Sequence, residues 1–275
     1  DIRLSNNMTT HQLCDILNEF APLSLQDSWD NSGLQIDNNN ATITGVLICF
    51  DITEKSLQEA IAKNCNVIVA HHPLIFSSLK KIGNATYVER CICSAIANGI
   101  AIYCNHTPLD KVQGGISWML GQKLGLNDIT YLQADAVASY GAIGEFQHSL
   151  SEEEFIGLLK KTFGLPYVRC SEPLNKTIKK VAFCGGSGAF LIDDAIKADA
   201  DAFVCGDIKH HEFYKAEQKI LLADIGHFES EIGTKEIFFS ILSKKNPYLC
   251  HSLVRKRQES YSLFIKLILY GRKKS

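Results

Sequence analysis

Four short apolar runs in this chain each end in a cluster of imidazoles and carboxylates, and this pattern narrows the possible folds sharply. Val67-Ile68-Val69-Ala70 precedes His71 and His72, and Ile100-Ala101-Ile102-Tyr103 leads to His106 and Asp110. Ala202-Phe203-Val204-Cys205 precedes Asp207, His210 and His211, while Ile220-Leu221-Leu222-Ala223 precedes Asp224, His227 and Glu231. A short apolar run bounded by polar residues reads as a strand buried on both faces, as in a parallel sheet. Ligands of open α/β sheets gather beyond the carboxyl ends of such strands. Six of the nine histidines fall in these four loops, a concentration that points to one metal site.

The intervening segments fit the same architecture. Gly45 to Phe50 and Asn66 to Ala70 read as strands flanking an amphipathic helix over Ser56 to Lys63, a β-α-β unit of the length a right-handed crossover needs. Val181 to Asp207 lies on Val46 to His72 without a gap at an offset of 135 (181 − 46), with Val46/Val181, Cys49/Cys184, Ala60/Ala195, Ile61/Ile196 and Val69/Val204 coinciding. The expectation is an α/β fold of two interlinked α/β units, over 8–130 and 131–247, with a metal site in the cleft between them. Helices are predicted over Thr10 to Phe20, capped by Thr9 or Thr10, over Gly114 to Leu126, and over Glu152 to Phe163 ahead of Gly164 and Pro166. Asp1 to Asn7 read as an addition before a natural start at Met8. The tail, 248–275, follows neither half; its alternating Leu263, Ile265, Leu267 and Leu269 predict an added edge strand.

Composition excludes several classes. At 275 residues and 46% hydrophobic content the chain can bury a full core, and a formal charge of −2 gives no electrostatic footprint for nucleic acid. The basic clusters Arg255-Lys256-Arg257 and Arg272-Lys273-Lys274 read as solvated surface. The longest apolar candidate, Leu263 to Tyr270, is too short for a membrane span and contains Lys266. None of the ten cysteines forms a Cys-x-x-Cys pair, and Cys49, Cys104, Cys184 and Cys205 sit in apolar runs. They read as free buried thiols in a reducing cytoplasm.

His71 and His72 are adjacent, and side chains of neighbouring strand residues face opposite ways, so sharing a site requires the chain to turn at the strand end. Asp110 follows His106 across Pro108, which predicts a loop presenting a carboxylate. His106 is a ligand, a proton shuttle or a hydrogen bonder that orients ligands, the last favoured. His227 and Glu231 lie four apart, on one side of a helix, with Glu229 directed elsewhere. Asp207, His210 and His211 line a substrate pocket or order the ligands. Gly185-Gly186-Ser187-Gly188 reads as a tight turn needing positive φ, with a backbone-amide pocket for part of a substrate, through Gly186 and Ser187, as the alternative. His11, His148 and His251 fall outside the clusters.

The chain resembles the Nif-three-like family, also called the type-2 GTP cyclohydrolase I homologues. The resemblance rests on Asp30-Asn31-Ser32-Gly33-Leu34-Gln35, Ile68-Val69-Ala70-His71-His72-Pro73-Leu74-Ile75-Phe76, His106-Thr107-Pro108-Leu109-Asp110, Gly185 to Gly188, Gly206-Asp207-Ile208-Lys209-His210-His211, and Asp224-Ile225-Gly226-His227-Phe228-Glu229-Ser230-Glu231. It implies two divalent ions (zinc, iron, manganese or nickel) on His71, His72, Asp110, His227 and Glu231, with Glu231 bridging. It further implies a ring-shaped homohexamer. The expected activity is metal-dependent hydrolysis of a nucleotide-like small molecule, with GTP ring opening as the candidate reaction and His106 or His211 moving protons. The alternative is a non-catalytic metal-binding or protein-interaction factor.

Overall fold

A computed structural model describes residues 8–133, 136–245 and 252–253. The segment Asp1 to Asn7, His251 and the stretch Leu263 to Leu269 lie outside the described residues.

Two sheets organise the chain. The first has the order β1-β4-β3-β2-β11, built from β1 (Gly33–Ile36), β2 (Val46–Cys49), β3 (Val67–Ala70), β4 (Ala101–Cys104) and β11 (Ser252–Leu253). Within it β2, β3 and β4 run parallel, β1 pairs antiparallel with β4, and β11 pairs parallel with β2. The second has the order β5-β6-β8-β9-β10-β7, from β5 (Asn127–Tyr131), β6 (Ala142–Ser151), β7 (Arg169–Cys170), β8 (Thr177–Ser187), β9 (Ala202–Gly206) and β10 (Leu221–Asp224). Here β8, β9 and β10 are the parallel centre and β5, β6 and β7 the antiparallel flanks. The two sheets also repeat in register: Val46 faces Val67 in one, and Val181 faces Ala202 in the other.

Continuous apolar strands need cover on both faces, and alternation divides each strand between two cores. In the first sheet Leu47, Ile68 and Ile102 face α2 (Glu54–Ala62) and α3 (Tyr87–Ala97). Ile48, Val69 and Tyr103 face α1 (Thr10–Phe20) and α9 (Thr234–Lys245). In the second, Val181, Phe183 and Val204 pack under α5 (Ile116–Leu124) and α6 (Glu152–Phe163), and Ala182, Phe203 and Leu222 under α7 (Ile192–Lys197). The predicted α6 bounds hold, with a Ser151–Glu154 capping box at one end and left-handed Gly164 at the other. Thr9, not Thr10, caps α1.

The halves are interlinked by chain crossing. β5 begins at Asn127, within the expected first half, yet belongs to the second sheet, and α9 returns from the second half to pack Phe238 and Leu242 against Leu13 and Leu17 of α1. All nine described cysteines are free, and Cys49, Cys104, Cys184 and Cys205 are buried. Among the described residues no helix is long and apolar enough to cross a membrane. Phe238→Ala, at 1% exposure, should lower unfolding free energy by about 3–5 kcal/mol, read by denaturant titration of circular dichroism.

Candidate metal centre

The carboxyl ends of the parallel strands of both sheets meet at one place. At the end of β3 the N–H groups of His71 and His72 both donate to the Phe50 carbonyl, at 3.2 and 3.3 Å. This turns the chain out of strand geometry and brings the two rings to a centroid separation of 4.8 Å. Beyond β4, Asp110 sits in a short helix, α4 (Thr107–Lys111), not in the expected loop. Pro108 occupies its first turn, where a missing N–H breaks no helical bond. Beyond β10, α8 (His227–Glu231) carries His227 and Glu231 on one face, with His227 Nε2 2.9 Å from Glu231 Oε2.

The expected turn at Gly185 to Gly188 takes a different form. Gly185, Gly186 and Ser187 complete strand β8, and only Gly188 lies beyond it. Gly186 has φ +59°, and a Cβ there would come 2.1 Å from Glu231 Oε1. The bare backbone leaves the volume that the Glu231 carboxylate fills. The Gly186 amide donates to Ser230 Oγ at 2.9 Å, so it is engaged within the protein. Gly206 plays a similar part at the end of β9, where a Cβ would strike the His227 backbone at 2.7 Å.

Four imidazoles are oriented in the same way. His71 Nδ1 donates to the Asn105 carbonyl (3.1 Å), His72 Nδ1 to Asp51 (2.7 Å), His106 Nδ1 to Asp30 (2.9 Å) and His227 Nδ1 to Asp207 (2.8 Å). Each acceptor oxygen fixes a proton on Nδ1 and turns Nε2 toward the cluster, where it can ligate once that nitrogen carries no proton. Three sets of such atoms lie within 4.8 Å of one another: His71, His72 and His106; His72, His227 and Glu231; and His71, Asp110 and Glu231. His71 Nε2 and Asp110 Oδ1 are buried and form no hydrogen bond, and the buried Glu231 Oε2 faces the Nε2 atoms of His227, His72 and His71 at 2.9, 3.4 and 3.6 Å. Buried polar atoms ordinarily have partners, and lone pairs that face one another call for a shared cation. These residues fit a metal.

The charges agree. Burial and the nearby Glu231 push the Asp110 carboxyl well above the usual range. Burial would raise Glu231 too, but His227, His71 and His72 hold it well below. Burial alone would lower His72 and His227; the carboxylates of Asp51, Glu231 and Asp207 prevail and raise them to about 10 and about 9. Fully buried His71 falls to about 4 despite Glu231.

Asp207 orders a ligand, one of the two roles the sequence suggests for it, whereas the orienting part of Asp51 and Asp30 is not evident from the sequence. Asp51 lies two residues beyond the end of β2, a fifth strand end carrying an imidazole or carboxylate as the other four do. Asp30 receives His106 Nδ1, the Thr107 amide and hydroxyl, Ser32 Oγ and the Asn31 amide. Burial opposes the Asp30 charge, but the His106, Thr107 and Ser32 bonds hold its carboxyl far below the usual range. Asp207 accepts from Ser187 Oγ at 2.8 Å as well as from His227, so both act as supports for a ligand. His210 and His211 are exposed on a 3-10 turn (His210–Ala216), in ring contact with each other and with Tyr214, and join none of the ligand sets. His11 pairs with Asp37 at the surface, away from the cluster.

Comparison with known proteins settles the lineage. A family model described as Duf34/NIF3 (NGG1p interacting factor 3) matches residues 8–256. The chain belongs to this family. A Clostridium perfringens relative named GTP cyclohydrolase 1 type 2 homolog is 34% identical over 229 residues, covering 82% of this chain and 87% of that protein. The Saccharomyces cerevisiae NGG1-interacting factor 3 is 34% identical over 224 residues, covering 72% and 77%. Among solved structures, that of Staphylococcus aureus hypothetical protein SA1388 superposes with a TM-score of 0.84 at 27% identity, covering 92% of this Duf34/NIF3 chain and 98% of its own.

Two outcomes test the site. Gly186→Ala should leave the circular dichroism spectrum intact but displace Glu231, weakening zinc or manganese binding about 10–100-fold by competition titration. Metal binding needs neutral imidazoles, and raised pKa values keep His72 and His227 protonated at neutral pH. Metal uptake should therefore release protons and tighten as pH rises from 7 toward 9, read by calorimetry in buffers of differing ionisation enthalpy.

Proposed function

We propose that this protein is a di-metal hydrolase acting on a nucleotide-like small molecule. The observation that carries the reading is the convergence of the buried, unbonded His71 Nε2 and Asp110 Oδ1 on Glu231, beside the His72–His227–Glu231 set. One divalent ion would be held by His71, Asp110 and Glu231 and a second by His72, His227 and Glu231, with Glu231 common to both. Bound there, zinc, iron, manganese or nickel supplies Lewis acidity toward water and toward the substrate's electrophilic centre. Five protein ligands across two ions leave positions for substrate, as working sites do and structural sites do not.

The chain's own residues supply orientation and proton transfer. Asp51, Asp207 and the Asn105 carbonyl lock the ligand imidazoles. His106 Nε2 faces the cluster while its Nδ1 is anchored to Asp30, so it is the side chain placed to accept and return a proton. The exposed His211 has no such placement. The relatives named GTP cyclohydrolase 1 type 2 homolog supply the candidate reaction, hydrolytic opening of the GTP imidazole ring with release of formate. A second reading, a metal-binding protein-interaction factor, draws on the yeast relative's name.

The experiment is formate release from GTP by protein loaded in turn with zinc, iron and manganese, with bound metal counted in each sample. Wild type should turn over with about two ions per chain. Glu231→Gln should lose at least one ion and about 100-fold or more in turnover, in line with loss of a metal-based electrostatic contribution. Two tightly held ions with no formate from any preparation would remove the cyclohydrolase reaction and favour the second reading.

A further inference from the structure

Two large aromatic side chains stand exposed beside the metal centre. Trp29 is 56% exposed and Phe76 52%, and both are bulky apolar groups. Single apolar residues on a surface need no explanation, but these two are in contact and lead into the site. Their ring centroids lie 6.0 Å apart at a 50° tilt, so they touch without covering each other's faces. The His106 ring meets both edge-on, 5.9 Å from Trp29 and 6.4 Å from Phe76. On its other side His106 lies 5.2 and 5.3 Å from His71 and His72. One imidazole thus separates the aromatic pair from the ligand cluster.

The pair is held on fixed backbone. Trp29 immediately precedes Asp30, whose fully buried carboxylate ties its loop to His106 and Thr107. Phe76 immediately follows Ile75, whose amide donates to Gln35 Oε1 (3.0 Å) and whose carbonyl accepts from Gln35 Nε2 (3.1 Å). The loops bearing Trp29 and Phe76 are therefore stitched together through residues 30–35. Rings displayed this way lose little freedom when a ligand settles on them.

We propose that Trp29 and Phe76 form the docking platform for the planar base of a nucleotide, with His106 at its inner edge and the metal centre one ring's breadth beyond. The assignment rests on the hydrolase reading and adds to it the residues that recognise the base. Aromatic stacking suits this ligand because every base has a π-face, and the tilted pair offers two such surfaces at the mouth of the site.

The test titrates full-length, metal-loaded protein by calorimetry with guanosine monophosphate and, separately, with ribose 5-phosphate, which lacks the base. Wild type should prefer the nucleotide. Trp29→Ala and Phe76→Ala should each raise the nucleotide Kd about tenfold or more (about 1.4 kcal/mol) and leave the ribose 5-phosphate Kd unchanged. Trp29→Phe should restore nucleotide binding to within about threefold of wild type, since an aromatic face is retained. Equal binding of the two probes by wild type, no nucleotide binding at all, or alanine variants that bind as wild type does would each overturn the platform. So would a fall in oligomer mass by light scattering in the alanine variants, which would make the pair a contact between copies. Metal counted in every sample keeps the readings apart: base preference with no bound metal would sink the hydrolase and not the platform.

Discussion

The Glu231 carboxylate is the group on which the surrounding structure depends. It is 3% exposed, held on α8, and faces imidazoles supplied by both sheets: His71 and His72 from the first and His227 from its own helix. A buried carboxylate is costly without compensating positive charge or hydrogen bonds. Much of the local sequence provides for it. Gly186 lacks a side chain so that the carboxylate can fit, Ser230 ties α8 to the β8 backbone, and Gly206 lets α8 approach β9. Each imidazole carries its own anchor on the far ring nitrogen, so none can rotate away to leave the charge alone.

This arrangement explains why the site lies where two sheets meet and not on one. A single sheet offers its carboxyl ends along one edge, whereas two sheets facing each other surround a volume. The anchoring acids divide accordingly. Asp51 and Asp30 belong to the first half and Asp207 to the second, and each stands close behind the imidazole it supports. The crossings of the chain, through α5 into the second sheet and back through α9 onto α1, hold these halves together by burial of apolar side chains such as Phe238.

Much of this was legible in the sequence, because strand ends carry their own signature. A continuous apolar run followed by His or Asp marks a buried parallel strand and its functional end. This brings His71, His72, His106, Asp110, Asp207, His210, His211, Asp224, His227 and Glu231 forward as candidates, from which the family resemblance selects His71, His72, Asp110, His227 and Glu231. Spacing along the chain was less informative where tertiary contacts decide. Pro108 reads as a helix breaker, but at the first turn of α4 it is compatible with helix, and the choice is made by Asp30 receiving the Thr107 amide from a distant loop. The run Gly185 to Gly188 reads as a turn because glycine tolerates positive φ. That two of these glycines stay in strand, making room for a carboxylate from α8, is a long-range fact that no local pattern encodes. His210 and His211 share the composition of the ligand loops but sit on an exposed turn, since proximity in sequence to Asp207 does not fix direction in space.

The shared carboxylate also has a mechanical meaning. His72 reaches one oxygen of Glu231 from the first sheet, at 3.4 Å, while His227 reaches the same oxygen from within α8, at 2.9 Å. Each sheet has its own apolar cores, so the bite between these imidazoles is set by how the two layers are seated against one another. A shift of a fraction of an ångström between layers would open or close that bite before any side chain changed rotamer. The centre thus bridges the two layers, with the His72–Glu231 separation set between them and the His227–Glu231 separation set within α8.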